Sequence, residues 1–376
     1  MKTLAVFLPN WIGDAVMATP TLRALRCQFA NTHRIVGVGR PAVVELLEGT
    51  QLVDEAVLLD PQSRRRDRGM WAAISTLRRR RPDLAVLLTG SWRTGLVALL
   101  GRARRRYGYA REGRGLLLTD RLVPERRDGK YVPGSVVTYY LRLAGALGCD
   151  TSSLTLELAT SAEDERRADE ALARLGVPRD ARIVVVNNSG AFGAAKLWPT
   201  THFAGLSRRL AEHHPVHVVA LCGPTERDMA RDICQQAHHR RVVGLQDEPL
   251  SLGLSKALVR RAALMVTTDS GPRHFAAAFD TPVVTLFGPT HIAWSENFSA
   301  RATHLQLPVD CGPCQQRVCP LSHHHCMRNL SVDSVYEAAA HWLTRSALPQ
   351  LAGTHMPAAH APGASVSLSR QPPKVA

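Results

Sequence analysis

The residue types best suited to chemistry in this chain stand in short turns that directly follow strand-like runs. The first turn, residues 9–14, reads Pro-Asn-Trp-Ile-Gly-Asp and comes after an apolar run at 3–8. In an open parallel sheet, ligands bind at the carboxyl ends of the strands, where such a turn lies. Asp14 is therefore a candidate general base, able to accept a proton from an attacking hydroxyl group. The alternative is that Asp14 only caps the helix that follows.

A second turn combines glycines with a single lysine. Residues 187–199 read Asn-Asn-Ser-Gly-Ala-Phe-Gly-Ala-Ala-Lys-Leu-Trp-Pro and lie between a strand-like run and a helix. Backbone amides near Ser189 and Gly190, together with the point charge of Lys196, suit a bound diphosphate. The loop is neither a Walker loop nor the dinucleotide fingerprint. The spacing therefore leaves open that Lys196 is merely solvated.

A third turn, residues 267–274, reads Thr-Thr-Asp-Ser-Gly-Pro-Arg-His and leads from a strand into an apolar helix. Ser270 and Gly271 fall where a helix N-terminus exposes free amides, and that end of a helix attracts phosphate. The alternative for Asp269 is a simple N-cap. Two such turns after successive strands favour a phosphate-binding function for this half of the chain.

Two more turns follow strands in the same half. Glu226 closes the turn at 222–226 and is placed to accept hydrogen bonds from ribose hydroxyls, as acidic residues do in nucleotide-binding folds. The alternative is a carboxylate that only complements the dipole of the next helix. Gly288, in the turn at 287–290, is expected to line the same carboxyl edge of the sheet.

A cysteine-rich segment needs a separate interpretation. It contains Cys311, Cys314, Cys319 and Cys326, beside three consecutive histidines at 323–325. Cys-x-x-Cys is a common zinc spacing, but a second Cys-x-x-Cys is missing. We therefore expect a reduced, partly buried loop without metal, and a structural zinc held by these four cysteines is the weaker alternative.

The length and net charge of the chain limit the classes of protein to which it can belong. The chain has 376 residues, and single cores stop growing near ~250 residues, so two domains are expected. The 47 Lys and Arg against 32 Asp and Glu leave a net charge of +15, which attracts anions. Arginine runs at 64–68, 78–81 and 102–106 are individually typical of solvated surfaces, but together they favour an anionic, phosphorylated acceptor at a membrane surface. An aromatic content of 5% argues against a base-stacking platform for single-stranded nucleic acid, and no nucleic-acid partner is expected.

Alternating strand-like and helix-like runs predict two doubly wound parallel α/β units. The strands are predicted at 3–8, 34–38, 56–59, 84–88, 182–186, 216–222, 264–267 and 283–287, and the helices at 15–29, 43–47, 70–80, 161–173, 201–213, 226–238 and from 273. We expect one domain at 1–165, a second at 175–345, and a disordered tail at 346–376. Without a run of about 18 uncharged apolar residues or a signal peptide, the chain is expected to be cytoplasmic.

Taken together, four motifs resemble glycosyltransferase family nine. They are Pro-Asn-Trp-Ile-Gly-Asp at 9–14, Gly-Ala-Phe-Gly-Ala-Ala-Lys-Leu-Trp-Pro at 190–199, Asp-Ser-Gly-Pro-Arg-His at 269–274 and Leu-Phe-Gly-Pro-Thr at 286–290. The stretch Cys-Pro-Leu-Ser-His-His-His-Cys at 319–326 is also similar. The resemblance covers about residues 1–345 and implies a GT-B fold, in which two Rossmann-like domains face a cleft. The first domain would bind the acceptor and the second the nucleotide sugar.

The resemblance also implies a reaction and its participants. The expected activity is an inverting, metal- and cofactor-independent heptosyl transfer from ADP-heptose to the heptosylated Kdo–lipid A inner core of lipopolysaccharide. That acceptor would be met at the inner face of the inner membrane, with peripheral membrane contact. By matched position, Asp14 is the general base, Lys196 holds the donor phosphate and Glu226 meets the ribose. The matched donor-binding loop consists of Asp269, Ser270, Gly271 and His274.

One departure from the family pattern concerns the donor loop. Residues 272 and 273 are Pro and Arg, where the family commonly has Leu and Met or Ser. Arg273 is therefore expected either to add a phosphate contact or to alter sugar selectivity.

Other functions stay open on the sequence alone. The chain could be a different enzyme of the same architecture, such as a nucleotide-sugar epimerase, a protein heptosyltransferase or a transferase with another donor or acceptor. A non-catalytic nucleotide-sugar-binding protein is another. A nucleic-acid binder rests on the net charge alone.

Overall fold

The computed structural model describes residues 1–60, 62–63, 65–111, 113–127 and 129–345. The tail predicted at 346–376 and Arg64 of the first arginine run lie outside the described residues.

The first half of the chain forms a parallel six-stranded sheet with helices on both faces. Its strands are β1 (Lys2–Phe7), β2 (His33–Gly39), β3 (Glu55–Leu58), β4 (Leu84–Leu87), β5 (Arg105–Tyr109) and β6 (Asp120–Leu122). Its helices are α1 (Ile12–Met17), α2 (Thr19–Phe29), α3 (Pro41–Leu46), α4 (Met70–Arg80), α5 (Trp92–Leu100) and α6 (Val136–Gly145). The strand order is β3-β2-β1-β4-β5-β6. A short antiparallel hairpin of β7 (Arg126–Arg127) and β8 (Lys130–Tyr131) precedes α6.

The second half repeats this arrangement. Its strands are β9 (Arg182–Asn187), β10 (Val216–Leu221), β11 (Val242–Gly244), β12 (Leu264–Thr268), β13 (Val283–Phe287) and β14 (Ala302–Gln306). Its helices are α7 (Ala162–Arg174), α8 (Thr200–His213), α9 (Arg227–Ala237), α10 (Leu252–Arg261), α11 (Arg273–Ala278), α12 (His325–Arg328) and α13 (Val332–Arg345). The order β11-β10-β9-β12-β13-β14 has the same pattern as the first sheet, with its first strand near the centre. The prediction of two doubly wound parallel sheets is therefore confirmed.

The strands form because their aliphatic residues can be buried on both faces of each sheet. Leu4 to Phe7 of β1 and Val184 to Val186 of β9 are fully buried, as expected for central strands covered by helices on both sides. The main cluster of buried apolar side chains extends through both halves of the chain. A smaller cluster lies between the first sheet and the pair of helices α4 and α5.

The helix predicted at 15–29 is wrong as a single element. The structure has α1 and α2, with Ala18 between them. Pro20 lies in the first turn of α2 and has no backbone N–H to donate to an earlier carbonyl, so one continuous helix would lose a hydrogen bond there. The Thr19 hydroxyl instead donates to the Val16 carbonyl at 2.7 Å. This break keeps α1 short and leaves it beside the carboxyl end of β1.

The two sheets meet through their carboxyl edges. Helix α1, which follows β1, lies against α11, which follows β12. The Ser135 hydroxyl at the start of α6 donates to the Glu296 carbonyl of the second half at 2.6 Å. Within the described part of the chain, every helix is too short or too polar to cross a lipid bilayer.

Candidate active site

A cleft of about 510 Å³ lies where the carboxyl edges of the two sheets meet. Most of the residues predicted from sequence line it, namely Asp14, Ser189, Lys196, Glu226, Asp269, Ser270, Gly271 and His274. Gly190 and Gly288 are not among its lining residues. A Cβ atom at Gly190 would come within 2.9 Å of the Leu197 side chain, and one at Gly288 would come within 2.5 Å of Met327 Sδ. Both glycines therefore permit close packing behind the cleft.

Asp14 approaches the cleft from the first half of the chain. It lies in the first turn of α1, and the N-cap position belongs to Trp11, so Asp14 is not the cap that the sequence left open. Burial raises the pKa of Asp14 to about 6, and the positive charge of Lys196 opposes that rise. A carboxyl group with this pKa can exchange a proton near neutral pH.

Lys196 approaches the cleft from the second half. It ends a short 3₁₀ turn at 194–196, and its Nζ donates to Asp269 Oδ2 at 2.7 Å and to the Asp269 carbonyl at 2.8 Å. The two side chains are 12% and 6% exposed, so this lysine is not merely solvated. Its ammonium group also lies 4.9 Å from the centre of the Phe192 ring, which lines the cleft. The lysine is therefore held in one place before any phosphate is bound.

Asp269 is the centre of a buried network and not a simple helix cap. The Thr290 hydroxyl donates to Oδ2 at 2.7 Å, the Ser295 hydroxyl donates to Oδ1 at 3.0 Å, and Arg273 Nη1 lies 3.3 Å from Oδ1. Burial by itself would raise the pKa of Asp269, but the charges of Lys196 and Arg273 hold that pKa well below its usual value. The carboxylate is consequently ionised and shared between two cations.

Arg273 does not provide the phosphate contact considered above. Its side chain is fully buried and does not line the cleft. The guanidinium group donates to the Ser295 carbonyl at 3.0 Å and lies 5.0 Å from the centre of the Phe287 ring. The arginine thus acts on the site through Asp269, and its effect on sugar selectivity stays a prediction.

The turn that contains Ser270 and Gly271 touches α1 directly. The Ser270 hydroxyl donates to Asn187 Oδ1 at 3.1 Å. A Cβ atom at Gly13 would come within 3.2 Å of the Gly271 Cα, so glycine allows the two turns to approach this closely. Helix α11 begins at Arg273, and Pro272 takes its N-cap position. Ser270 and Gly271 therefore lie just before the helix.

His274 is buried where α11 meets α1. Burial, followed by the charge of Arg273, lowers its pKa well below the usual value, so the ring is neutral. Its Nδ1 lies 3.1 Å from the Asn297 amide nitrogen. Because that amide nitrogen is a donor, Nδ1 accepts and the ring proton is assigned to Nε2. His274, which lines the cleft, is therefore a neutral hydrogen-bond donor.

Glu226 stands beside an apolar part of the cleft. Its Oε1 accepts from the Ser189 hydroxyl at 2.6 Å, and its Oε2 accepts from the Gly223 amide at 2.9 Å. The lining of the same cleft includes the apolar side chains of Leu221, Cys222 and Leu252. An acidic group next to an apolar slot is suited to a ribose with its attached base.

Several lining residues were missed from the sequence. Leu252 and Ser255 belong to α10, which was not predicted, and Trp294 lies in a segment without a recognisable motif. Phe192 stands inside the lysine loop and Gln315 inside the cysteine-rich segment, so both lie in stretches that the sequence had singled out for other residues. The others are brought to the cleft by long-range packing.

The cysteine-rich segment packs against the lysine loop. The Arg317 carbonyl accepts from the Ala195 amide at 3.0 Å, and His324 Nε2 lies 2.6 Å from the Ala195 carbonyl. The Gln315 amide donates to the Pro289 carbonyl at 2.8 Å. All four of its cysteines are free thiols, and across the described ranges no three His, Cys, Asp or Glu side chains are arranged to hold a metal. Burial and the other three thiols raise the pKa of Cys326.

Known proteins with similar sequences carry out sugar transfer. Lipooligosaccharide heptosyltransferase 2 of Campylobacter jejuni is 24% identical over 342 residues, covering 88% of this chain and 96% of that protein. Lipopolysaccharide heptosyltransferase 3 of Escherichia coli K12 is 26% identical over 298 residues, covering 75% and 81% of the two chains. Heptosyltransferases 2 and 3 thus have about the same sequence identity to this chain.

Solved structures agree with the fold. E. coli ADP-heptose lps heptosyltransferase II superimposes with a TM-score of 0.75 at 23% identity, covering 92% of this chain and 99% of that one. An E. coli heptosyltransferase solved with ADP gives a TM-score of 0.70 at 17% identity, covering 91% and 100%. The two-sheet arrangement is therefore the GT-B fold.

The sequence match to a family covers most of the chain. Residues 70–325 match glycosyltransferase family 9 (heptosyltransferase). This range includes the lysine loop, the Asp269 turn and most of the cysteine-rich segment. The chain therefore belongs to glycosyltransferase family 9, the heptosyltransferase family.

Proposed function

We propose that this enzyme transfers L-glycero-D-manno-heptose from ADP-heptose to the heptosyl-Kdo2-lipid A inner core, with inversion at the anomeric carbon. The observation that carries the proposal is the convergence of Asp14 from the first sheet and Lys196 from the second on one cleft. A base and a phosphate-binding cation on opposite walls are what a direct sugar transfer between two substrates needs. The reaction is proposed to take place at the cytoplasmic face of the inner membrane, without a nucleic-acid partner.

The donor is proposed to lie along the second sheet. Its adenine would occupy the apolar slot at Leu221 and Leu252, and its ribose hydroxyls would donate to Glu226. The diphosphate would then reach Lys196 and the turn at 270–271. Support comes from the presence of all these groups in one cleft and from a structural relative that was solved with ADP.

The chemical step is proposed to be a single displacement. Asp14 accepts the proton of the acceptor hydroxyl while the oxygen forms a bond to the anomeric carbon of heptose. The bond from that carbon to the diphosphate oxygen breaks at the same time, and ADP leaves with its electron pair. Lys196 stabilises the negative charge that develops on the departing diphosphate. The heptosyl product and ADP account for all atoms, with the proton on Asp14 passing to solvent.

Product analysis with defined acceptors tests this proposal. Purified enzyme is incubated with ADP-heptose and either Kdo2-lipid A or heptosyl-Kdo2-lipid A, and the products are analysed by mass spectrometry. We expect one added heptose on the heptosylated acceptor only, formed about 10²-fold or more slowly by the Asp14→Asn variant. Transfer only to Kdo2-lipid A would contradict the proposed acceptor. Tight ADP binding without transfer to any acceptor would indicate a non-catalytic binding protein.

A further inference from the structure

The first half of the chain carries large apolar side chains on its surface. Trp71, Trp92, Leu116 and Val123 are 69%, 49%, 91% and 80% exposed. We call these four residues the apolar rim. Side chains of this size are costly to expose to water unless something covers them.

The topology places all four rim residues on one edge of the first sheet. Its six strands are parallel, so the connections that leave them start at the same carboxyl edge. Trp71 and Trp92 lie in the first turns of α4 and α5, which return from β3 and β4. Leu116 lies in the turn after β5, and Val123 directly follows β6. The rim therefore follows the same edge that opens into the cleft.

Packing brings part of the rim onto one face. Helices α4 and α5 cover the same face of the sheet, because Ile74 and Val97 belong to the same buried cluster. A Cβ atom at Gly95 of α5 would come within 3.1 Å of Leu117 Cδ1, so the turn that carries Leu116 rests against α5. Trp71, Trp92 and Leu116 thus stand at neighbouring positions on this edge.

Exposed arginines accompany the rim. They are Arg65, Arg93, Arg121, Arg126 and Arg127. Two exposed acids, Asp67 and Glu125, stand among them, and Asp67 is paired with Arg65 at 3.1 Å. Among the residues described on this edge, the arginines outnumber the acids, so the surface around the rim is positively charged.

The other two arginine runs lie at the opposite edge. Residues 78–81 end α4 and 102–106 lead into β5, so both face the amino ends of the strands. Arg80 is paired with Glu55, and Arg105 lies 2.8 Å from Asp120. Only the first run, at 65–68, belongs to the edge that carries the rim.

We propose that the apolar rim and its arginines seat the enzyme on a bilayer surface that carries anionic headgroups. Tryptophan and arginine side chains suit this boundary, because rings and aliphatic stems enter the interface while polar groups stay with the headgroups. A second copy of the chain is a poorer occupant, since two such rims would bring like charges together. The inference rests on the proposed function, because seating at this edge would present a lipid-linked acceptor to the cleft.

Vesicle binding by matched variants tests the rim. The double variant Trp71→Ser/Leu116→Ser and the variant Arg126→Gln are compared with Val318→Ser and Arg104→Gln, which change an exposed apolar residue of the second half and an exposed arginine of the opposite edge. Each is sedimented with phosphatidylethanolamine–phosphatidylglycerol vesicles and with phosphatidylcholine vesicles. We expect the apolar double variant to lose about tenfold or more in partitioning to anionic vesicles. Arg126→Gln should lose a smaller, salt-sensitive fraction, and the two controls should stay within about twofold.

Activity on two forms of the acceptor separates this inference from the proposed function. The rim variants should turn over a deacylated, water-soluble acceptor as the unmodified enzyme does, and should lose activity on the same acceptor embedded in anionic vesicles. Unchanged vesicle binding by the rim variants would overturn the inference. The inference would also be overturned if sedimentation velocity showed a dimer that the rim variants abolish, because that result would assign the rim to contact with a second copy of the chain. Failure of the unmodified enzyme on both acceptors would refute the proposed function, while the vesicle assay would still report on the rim.

Discussion

At the scale of single residues, the site is a balance of charges around one buried carboxylate. Asp269 is shared by Lys196 and Arg273, and Asp14 faces this group from the other sheet. Within the Asp269 network itself, two cations meet one carboxylate, so the carboxylate is more than neutralised before a donor binds. A diphosphate can therefore draw Lys196 towards itself while Arg273 continues to neutralise Asp269.

The pKa of Asp14 predicts how the rate depends on pH. A general base works only when it is ionised, and burial raises this pKa to about 6. We expect kcat/KM to fall below about pH 6 with the slope of a single proton and to reach a plateau above it. A steady-state pH profile checks this, with Asp14→Asn as the control that should lack this limb. A flat profile down to pH 5 would remove Asp14 from the role of base.

The raised pKa of Asp14 also predicts that the stability of the fold falls as the pH rises, whereas the rate should increase. The pKa of Asp14 is higher in the folded protein than the ordinary value of 3.8, so the folded state binds more protons between those two values. Its contribution to the free energy of unfolding therefore falls as pH rises from about 4 to 6. Asp14→Asn should melt at a higher temperature than the unmodified enzyme at pH 8, and this gain should shrink at pH 4. A lower melting temperature at pH 8 would contradict the account.

Arg273 is buried next to the cleft and helps to neutralise Asp269. Arg273→Met leaves a buried carboxylate with one cation fewer, and breaking a buried pair in this way costs about 3–5 kcal/mol. We expect a loss of that size in urea unfolding and a raised KM for the donor, because Lys196 becomes the sole cation at Asp269. Arg273→Lys keeps the charge and should recover part of both losses. Equal donor KM values in all three proteins would show that Arg273 does not influence Lys196.

At the scale of elements, the cysteine-rich segment acts as a brace for the lysine loop. Its contacts with the loop are made by the Arg317 carbonyl and the His324 ring, which meet the amide and the carbonyl of Ala195. Because these contacts hold the residue directly before Lys196, the position of the ammonium group depends on a segment distant in sequence.

Gly193 is the point of closest approach between that brace and the loop. A Cβ atom there would overlap the Arg317 carbonyl group, and backbone atoms cannot simply rotate away. Gly193→Ala should raise the donor KM by about tenfold or more, because the loop that carries Lys196 must shift. Gly205→Ala in α8 is the matched control, since the nearest atom, Val332 Cγ2, would lie 3.9 Å from the new Cβ. Equal effects from both variants would refute a specific role for the brace.

Sequence patterns predicted those helices and strands in which buried apolar residues recur at regular spacing. Helix α4 and strand β13 were predicted with the bounds that the structure has, at 70–80 and 283–287. The fold class followed from this alternation, and the turns at 9–14 and 267–274 led to the cleft. These features depend on local spacing, which a single sequence records.

Other elements were missed because charge conceals their buried faces. Strand β5 begins with two arginines and was interpreted as part of a basic run, although its last three residues are buried. Helix α10 contains Lys256, whose side chain is 1% exposed and lies 3.8 Å from Asp164 of α7. The buried guanidinium of Arg273 is a similar case. Lys256 is paired with a residue distant in sequence, and Arg273 also needs Ser295, so local patterns do not show that these charges can be buried.

At the scale of the whole molecule, the proposed reaction is divided between two sheets of the same topology. The first supplies Asp14 and an edge with exposed apolar and basic groups, and the second supplies the cations and the acidic residue at the apolar slot. In the proposed reaction, the base and the phosphate-binding cation therefore come from different sheets. Contact between the turns at Gly13 and Gly271 sets the distance between the two parts.

Single-turnover transfer by Asp14→Asn under saturating donor, with ADP affinity measured on the same protein, tests this division most directly. The account predicts a rate lower by about 10² or more, with ADP affinity within about twofold of the unmodified enzyme, because the base acts from the sheet that does not hold the nucleotide. Lys196→Ala, as the comparison, should lose ADP affinity as well as rate. Near-normal transfer by Asp14→Asn would contradict the central claim that the base and the phosphate site act from opposite walls of one cleft.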